Sequence, residues 1–174
     1  MPSIGNKART ELQRQLNHEL SAAYAYEGMS LWCEEQNFKG FARYFLTQAG
    51  EERQHARKII DHLLDRGILA EFAALPAPRM KFKSLMDVAK TAQSMEEANT
   101  RGINQAYEAA LSETDYPAQV MLQWFINEQV EEEDWCAEMV DRVEKASCAG
   151  GISDLDRHIE RYLKEKVARE PQAG

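Results

Sequence analysis

The chain has 174 residues, 44% of them hydrophobic and 29% charged, a composition typical of one soluble globular domain. Its 29 acidic residues outnumber the 21 basic ones and give a net charge of -8, which argues against nucleic acid or an anionic membrane surface as a partner. The sequence contains neither a membrane-spanning apolar run nor a secretory signal, and its three cysteines form no CxxC pair, so we expect a cytoplasmic protein without a disulfide framework.

Apolar residues that recur every three or four positions predict four long helices and a shorter fifth. The first two, α1 and α2, are expected over residues 7–35 and 38–66, and Gly67 follows where a terminating glycine belongs. Residues 68–83 contain two prolines and no lasting period, which indicates a connection. Ser84 and Asp87 resemble a capping box that opens α3 (84–112), and Pro117 suits the first turn of α4 (117–146). A short α5 is expected over 153–166, within a single domain spanning 1–174.

The lengths of these segments predict how the helices are connected. Each long helix is about 42 Å long at a rise of 1.5 Å per residue. Short turns make α1 with α2, and α3 with α4, antiparallel hairpins. The connection over 68–83 can stretch about 50 Å, which is enough to run the length of the bundle. The expected fold is therefore an all-α four-helix bundle with one long crossover and a short fifth helix.

Ionisable residues interrupt the apolar faces of α1 and α2, at a similar distance along each helix from the turn that joins them. Glu19 lies about five helical turns before Asn37, in the first connection, and Glu52 and His55 lie roughly four to five helical turns after it. The Glu-x-x-His spacing of Glu52 and His55 puts both side chains on one face of α2. These three side chains should therefore meet in the interior, roughly 20 to 28 Å from that connection.

The second hairpin repeats this arrangement. Glu96 lies about five helical turns before Asp115, in the connection between α3 and α4, and Glu128, Glu131 and Glu132 lie roughly four to five helical turns after it. Buried carboxylates cost several kcal/mol each, so such a cluster must be protonated, hydrated or neutralised by a cation. Carboxylates bind hard divalent cations, and one imidazole favours iron, manganese or zinc over calcium or magnesium.

Other polar residues allow a structural interpretation. Glu51 and Glu131 lie at the edge of the seam and would each, taken singly, be surface residues. His18, His62 and His158 lie away from the cluster and are expected to be structural, as are the three tryptophans. Tyr26 lies two turns from Glu19 and is either a core tyrosine or a hydrogen-bonding, redox-active neighbour of a metal.

Three stretches, "LNHELSAAYAYEGMSLWC", "EERQHARKIIDHL" and "DYPAQVMLQWFINEQVEEE", resemble the α1, α2 and α4 signatures of the non-haem ferritins, particularly the bacterial type. The resemblance covers nearly the whole chain and implies a ferritin-like bundle. It implies that Glu19, Glu52 and His55 hold a first iron, and that Glu52 bridges to a second iron held by Glu96 and Glu132. It further implies a third iron site, formed by Glu51, Glu128, Glu131 and Glu132. It also implies that Tyr26 and Gln129 lie beside the di-iron centre.

Departures from related families narrow the resemblance. Bacterioferritins place a haem-binding methionine directly after the α2 ligand glutamate, where this chain has Arg53, so no haem is expected. They also carry a second Glu-x-x-His on α4, where this chain has Glu128 and Glu131. Rubrerythrins need a CxxC iron domain, which the sequence lacks.

The resemblance implies an iron-storage ferroxidase. Such a protein oxidises Fe2+ with O2 or H2O2 and stores Fe3+ as a mineral inside a homo-oligomer, implied to have 24 subunits, with α5 at a four-fold axis. Two alternatives remain open at this stage: a soluble di-iron oxidase or peroxidase that stores no iron, and an inert structural subunit of the shell.

Overall fold

The computed structural model describes residues 4–146 and 148–169, and its regular structure there is entirely helical. The predicted domain also includes residues 1–3, 147 and 170–174, which lie outside the described residues. The five helices are α1 (Asn6–Glu35), α2 (Lys39–Asp65), α3 (Leu85–Ser112), α4 (Tyr116–Lys145) and α5 (Ala149–Arg169). A long connection without regular structure joins α2 to α3, which confirms the predicted four-helix bundle with one crossover. No helix in the described part of the chain is long and apolar enough to cross a membrane.

The fifth helix begins earlier than the sequence predicts. We expected α5 over 153–166 because two consecutive glycines usually end or interrupt a helix. The helix instead starts at Ala149 and includes Gly150 and Gly151 in its first turn. Cys148 accounts for this start, since its Sγ accepts a hydrogen bond from the Gly151 amide at 3.4 Å and its carbonyl accepts one from Ile152 at 3.0 Å. The thiol at the cap position thus gives the Gly151 amide a partner that it would otherwise lack.

The buried apolar side chains form two clusters, one at each end of the bundle. One cluster includes Phe41, Tyr44 and Phe45 near the turn between α1 and α2. The other includes Leu12, Ile59 and other residues from the opposite ends of these helices. The clusters leave a gap at the middle of all four long helices. Buried polar side chains fill this gap: Gln15, Glu19, Gln48, Glu52, His55, Glu96, Asn99, Gln129 and Glu132.

Residues distant in sequence cap the beginnings of two helices. Neither α1 nor α2 has a side-chain cap of its own. Glu113, at the end of α3, accepts hydrogen bonds from the amides of Lys7 and Ala8 at 3.1 and 2.8 Å. Asp156 of α5 accepts one from the Phe41 amide at 3.0 Å and so fastens α5 to the start of α2. The carboxylates also oppose the positive end of each helix dipole.

Gly40 lets α5 pack closely against α2. A Cβ atom at Gly40 would lie 1.9 Å from the carbonyl oxygen of Asp156, far inside van der Waals contact. A Cβ atom at Gly50, on the same helix, would have no atom of residues 4–146 or 148–169 within 4 Å beyond its own chain neighbours and helix backbone. The close approach of the α2 and α5 backbones therefore requires glycine at position 40 but not at position 50.

The change Gly40→Ala is expected to release α5 from the bundle while leaving α1 to α4 folded, because the backbone of α5 cannot retreat and keep the Asp156 hydrogen bond. Hydrogen exchange followed by mass spectrometry should show faster exchange in α5. The matched change Gly50→Ala should leave exchange in α5 unchanged. Wild-type protection of α5 in Gly40→Ala would contradict this account of the docking.

A buried ion pair fixes the turn between α3 and α4. Asp115 is the N-cap of α4 and accepts a hydrogen bond from the Ala118 amide at 3.2 Å. Arg66 binds the same carboxylate through two nitrogens, at 2.9 and 3.2 Å, and both side chains are nearly inaccessible to solvent. Burial alone would raise the pKa of Asp115, but the hydrogen bonds from Arg66 and Ala118 outweigh it and hold that pKa below its usual value.

The change Asp115→Ala should lower the free energy of unfolding by about 3 to 5 kcal/mol, because it leaves Arg66 buried without its carboxylate. Chemical denaturation followed by circular dichroism measures this loss. Because the folded pKa of Asp115 is depressed, its contribution should be present at neutral pH and disappear as the pH falls below about 4. The control Asp61→Ala breaks the exposed pair with Arg57 and should cost less than about 1 kcal/mol. Equal losses in the two variants would contradict this assignment.

Candidate metal centre

Four glutamates, one from each long helix, lie in the polar layer between the two apolar clusters. The side chains of Glu19, Glu52, Glu96 and Glu132 are at most 1% exposed, and His55 beside them is 5% exposed. Each glutamate lies on the buried face of its helix. Its distance from the nearest inter-helix turn is the one at which the sequence predicted that the acids of the four helices would meet. The layer is therefore a set of acids enclosed on both sides by hydrocarbon.

Glu19, Glu52 and His55 form the tightest group of potential ligands. One ligand atom from each residue lies within 4.8 Å of the other two. His55 Nδ1 lies 3.2 Å from Glu52 Oε2, as expected for residues one turn apart on α2. Two carboxylates and an imidazole that converge on one point match the ligand chemistry of a transition metal ion.

Glu96 and Glu132 lie on the other side of the layer, where neutral donors hold them. Glu96 accepts hydrogen bonds from the Tyr26 hydroxyl and, at 3.1 Å, from Gln129 Nε2. Glu132 accepts one from Gln48 Nε2 at 3.0 Å. Within the described part of the chain, the buried Oε1 atom of Gln48 has no hydrogen-bond partner, so this amide donates to the carboxylate while its own oxygen stays unsatisfied.

Burial and mutual repulsion raise the pKa values of three of these acids. Burial, followed by the charge of Glu52, raises the pKa of Glu19 well above its usual value. Burial, followed by the charge of Glu96, does the same for Glu52. For Glu96, burial and then the charge of Glu132 raise the pKa to about 7. A metal cation would stabilise the charged forms, so the donor set fits divalent metal ions.

The phenol of Tyr26 belongs to the same network. Its side chain is fully buried, stacks on Phe45, and donates to Glu96. Burial, and then the charge of Glu96, raises its pKa well above the usual value, so the hydroxyl remains protonated and acts as a donor. Of the two interpretations of Tyr26, the structure supports a hydrogen-bonding neighbour of the acids.

Of the four residues proposed for a third iron, Glu132 is buried and the other three are less enclosed. Glu51 and Glu128 are half-buried, whereas Glu131 is exposed on the outer side of α4. None of them belongs to the close ligand group found among the described residues. The third iron site stays a prediction.

Two aromatic rings of α4 pack against His55. Trp124 and Phe125 meet the imidazole edge to face, with ring centroids 5.4 and 5.8 Å away. Trp124 is 38% exposed, and Lys58 Nζ lies 4.2 Å from the centroid of its ring. Trp124 therefore packs as expected, with His55 as one of its neighbours.

Sequence reasoning missed three amides in the layer. Gln15, Gln48 and Asn99 are buried and donate to the candidate ligands. Each lies three or four residues from a candidate glutamate, so its position on the same helix face was the available signal. An amide on a helix face does not by itself indicate a ligand partner, because its neighbours across the bundle depend on packing.

The sequence and the fold are both similar to those of known proteins. A family model described as "Ferritin-like domain" matches residues 9–146. The bacterial non-heme ferritins of Staphylococcus aureus (strain USA300) and Staphylococcus haemolyticus are 43% and 38% identical over 158 residues, 91% of this chain and 92% of each relative. The crystal structure of an open pore ferritin from Archaeoglobus fulgidus superposes with a TM-score of 0.88 at 29% identity, covering 91% of this chain and 98% of that one. The chain therefore belongs to the ferritin family.

Proposed function

We propose that this protein stores iron, and that it oxidises Fe2+ with O2 at the candidate metal centre before the Fe3+ is stored. The observation that carries the proposal is the convergence of four buried glutamates and one histidine, contributed by all four long helices, on a single polar layer. The names of the Staphylococcus relatives, non-heme ferritins, agree with a centre that needs no haem.

The acids divide into two binding positions for the substrate Fe2+. Glu19 and His55 bind the first ion, and Glu96 and Glu132 bind the second. The carboxylate of Glu52 lies between these two groups of ligands and bridges the ions. The charges of Glu96 and Glu132 both act on Glu52, which supports its place between the two positions.

Reduction of O2 to hydrogen peroxide requires two electrons, and the two Fe2+ ions supply one each. Each ion gives one electron to O2, which takes up two protons and becomes hydrogen peroxide, while both ions become Fe3+. Carboxylates favour the harder Fe3+ product. Tyr26 and Gln129 keep Glu96 oriented during this change of charge, because both donate hydrogen bonds to its carboxylate.

Storage requires a hollow assembly of many copies, for which 24 subunits is the expected number. The crossover between α2 and α3 exposes large apolar side chains, with Leu69 76% and Phe72 70% exposed. Such side chains on a connection support contact with another subunit. The acidic net charge would attract Fe2+ toward the assembled particle in the cytoplasm.

Anaerobic loading with Fe2+ followed by O2 tests the proposed function. The expected result is rapid oxidation and a growing brown mineral retained in a particle far heavier than the 19.9 kDa subunit. A small protein that consumes peroxide without retaining iron would instead be a di-iron oxidase or peroxidase. A large particle that never oxidises iron would be an inert shell subunit.

The change Glu52→Ala should slow Fe2+ oxidation at least 100-fold, because it removes the bridging ligand. The apo protein should unfold at the same temperature as wild type or higher, since one buried acid has been removed. Stopped-flow absorbance of the ferric product and thermal unfolding measure the two effects. The control Glu97→Ala removes an exposed glutamate of α3 and should change neither. Wild-type oxidation in Glu52→Ala would contradict the assignment of the centre.

The change Tyr26→Phe should leave anaerobic Fe2+ binding near wild type, because the phenol is not a ligand. We expect a transient blue absorbance after O2 is added, and its decay should change in Tyr26→Phe because Glu96 loses a hydrogen bond. Binding titration and stopped-flow absorbance separate the two effects. Unchanged decay would count against a role for Tyr26 beyond packing.

A further inference from the structure

A continuous chain of amide side chains connects the two halves of the polar layer. Gln15 Nε2 donates to Asn99 Oδ1 at 2.5 Å, and Asn99 Nδ2 lies 3.3 Å from Gln129 Oε1. The two ends of this chain reach candidate ligands: Gln15 donates to Glu19 at 2.7 Å and Gln129 donates to Glu96 at 3.1 Å. We refer to Gln15, Asn99 and Gln129 as the amide chain.

Asn99 is the middle member of the amide chain and also contacts a ligand directly. Its Nδ2 lies 3.3 Å from Glu19 Oε2, while Glu19 Oε1 accepts from Gln15. Both oxygens of Glu19 are therefore oriented by amide donors. Asn99 Oδ1 accepts from Gln15, so the nitrogen of the same amide faces Glu19 and can donate to that carboxylate once a bound cation holds it ionised. The Asn99 nitrogen also faces Gln129 Oε1, so the nitrogen of the Gln129 amide faces Glu96.

The far end of the amide chain is anchored outside the layer. Gln129 Nε2 also lies 3.3 Å from Thr100 Oγ1, and the Thr100 hydroxyl donates to Glu133 at 2.5 Å. Because Thr100 uses its proton on Glu133, it accepts from Gln129. The Gln129 amide is thus prevented from turning its oxygen toward Glu96.

The Gln15 amide uses only its nitrogen in hydrogen bonds, and its oxygen remains unsatisfied. Its Oε1 atom is buried and has no hydrogen-bond partner among the described residues, an arrangement that destabilises the fold. That oxygen lies against Gly102 of α3, where a Cβ atom would come within 2.6 Å of it. Stability alone would favour an apolar side chain here. The unpartnered oxygen indicates that the amide is positioned for the acceptors at its other end.

From this geometry we propose that Asn99 is a positioning residue that orients Glu19 directly, and Glu96 through Gln129, so that the two iron positions are held in a fixed relation. This inference rests on the proposed function, because it assigns Asn99 a task at that centre. Asn99 itself binds no metal. Its loss should free the Glu19 carboxylate to rotate and so weaken metal binding without removing a ligand. Residues that orient ligands typically contribute 10- to 100-fold to metal affinity.

The test uses Co2+ as a probe that binds without oxidation and reports its coordination in the visible spectrum. The metal-free full-length protein is titrated with Co2+ in wild type and in Asn99→Leu, which has a similar volume but no donor. The expected result is a 10- to 100-fold weaker affinity together with an altered visible spectrum. The matched control is Asn104→Leu, the same change at an exposed position of α3, which should bind Co2+ as wild type does.

A second variant guards against misfolding. Asn99→Ser keeps a small polar group that is too short to reach both Glu19 and Gln129, and it should weaken Co2+ binding in the same direction. Wild-type affinity and spectrum in whichever variant retains wild-type circular dichroism would overturn the proposal, and so would failure of both variants to fold. Failure of the proposed function would look different, because wild type itself would then bind no Co2+ at the centre or would lose none of that binding in Glu52→Ala.

Discussion

Four carboxyl groups buried side by side in a helix bundle are costly to ionise, because they are shielded from solvent and their charges repel one another, and the rest of this structure is arranged around that cost. The apolar core is divided into two clusters, and the acids occupy the gap between them. Burial and mutual repulsion raise the pKa values of Glu19, Glu52 and Glu96. Cations relieve both effects at once, which is why an energetically unfavourable layer is a useful site for binding iron.

The acids differ in how the surrounding protein holds them. Amides orient Glu19, and a phenol with an amide orients Glu96. Glu52 lies beside His55 and between the other acids, so ionisable groups surround it. Glu19 and Glu96 are thus held by hydrogen bonds, whereas the position of Glu52 between them depends on neighbouring charges. This arrangement suits a pair of metal ions whose charge changes during the reaction. Preorganised ligands also reduce the rearrangement that metal binding requires.

The ends of the bundle are stabilised by contacts between distant segments. Glu113 caps α1 and Asp156 caps α2, while Asp115 both caps α4 and pairs with Arg66 of the segment after α2. These contacts fix the helices along their axes, and the height of each glutamate depends on that axial position. A slip of one turn would move a carboxylate about 5.4 Å, out of reach of the shared site. The caps therefore support the centre from a distance.

The sequence by itself determined the fold class and the height at which acids from four helices meet, because helical periodicity and a fixed rise per residue turn positions into distances. It also identified the Glu52 and His55 pair, whose spacing of three residues needs no tertiary information. The tertiary structure decided the rest. Asn99 and Gln15 lie 84 residues apart, and only the packing of α1 against α3 brings their amides together. The cap that Cys148 provides at the start of α5, and the docking of α5 against Gly40, likewise appear only in the folded structure. Local spacing specifies which residues share a face, whereas hydrogen bonds between faces exist only after the helices have packed.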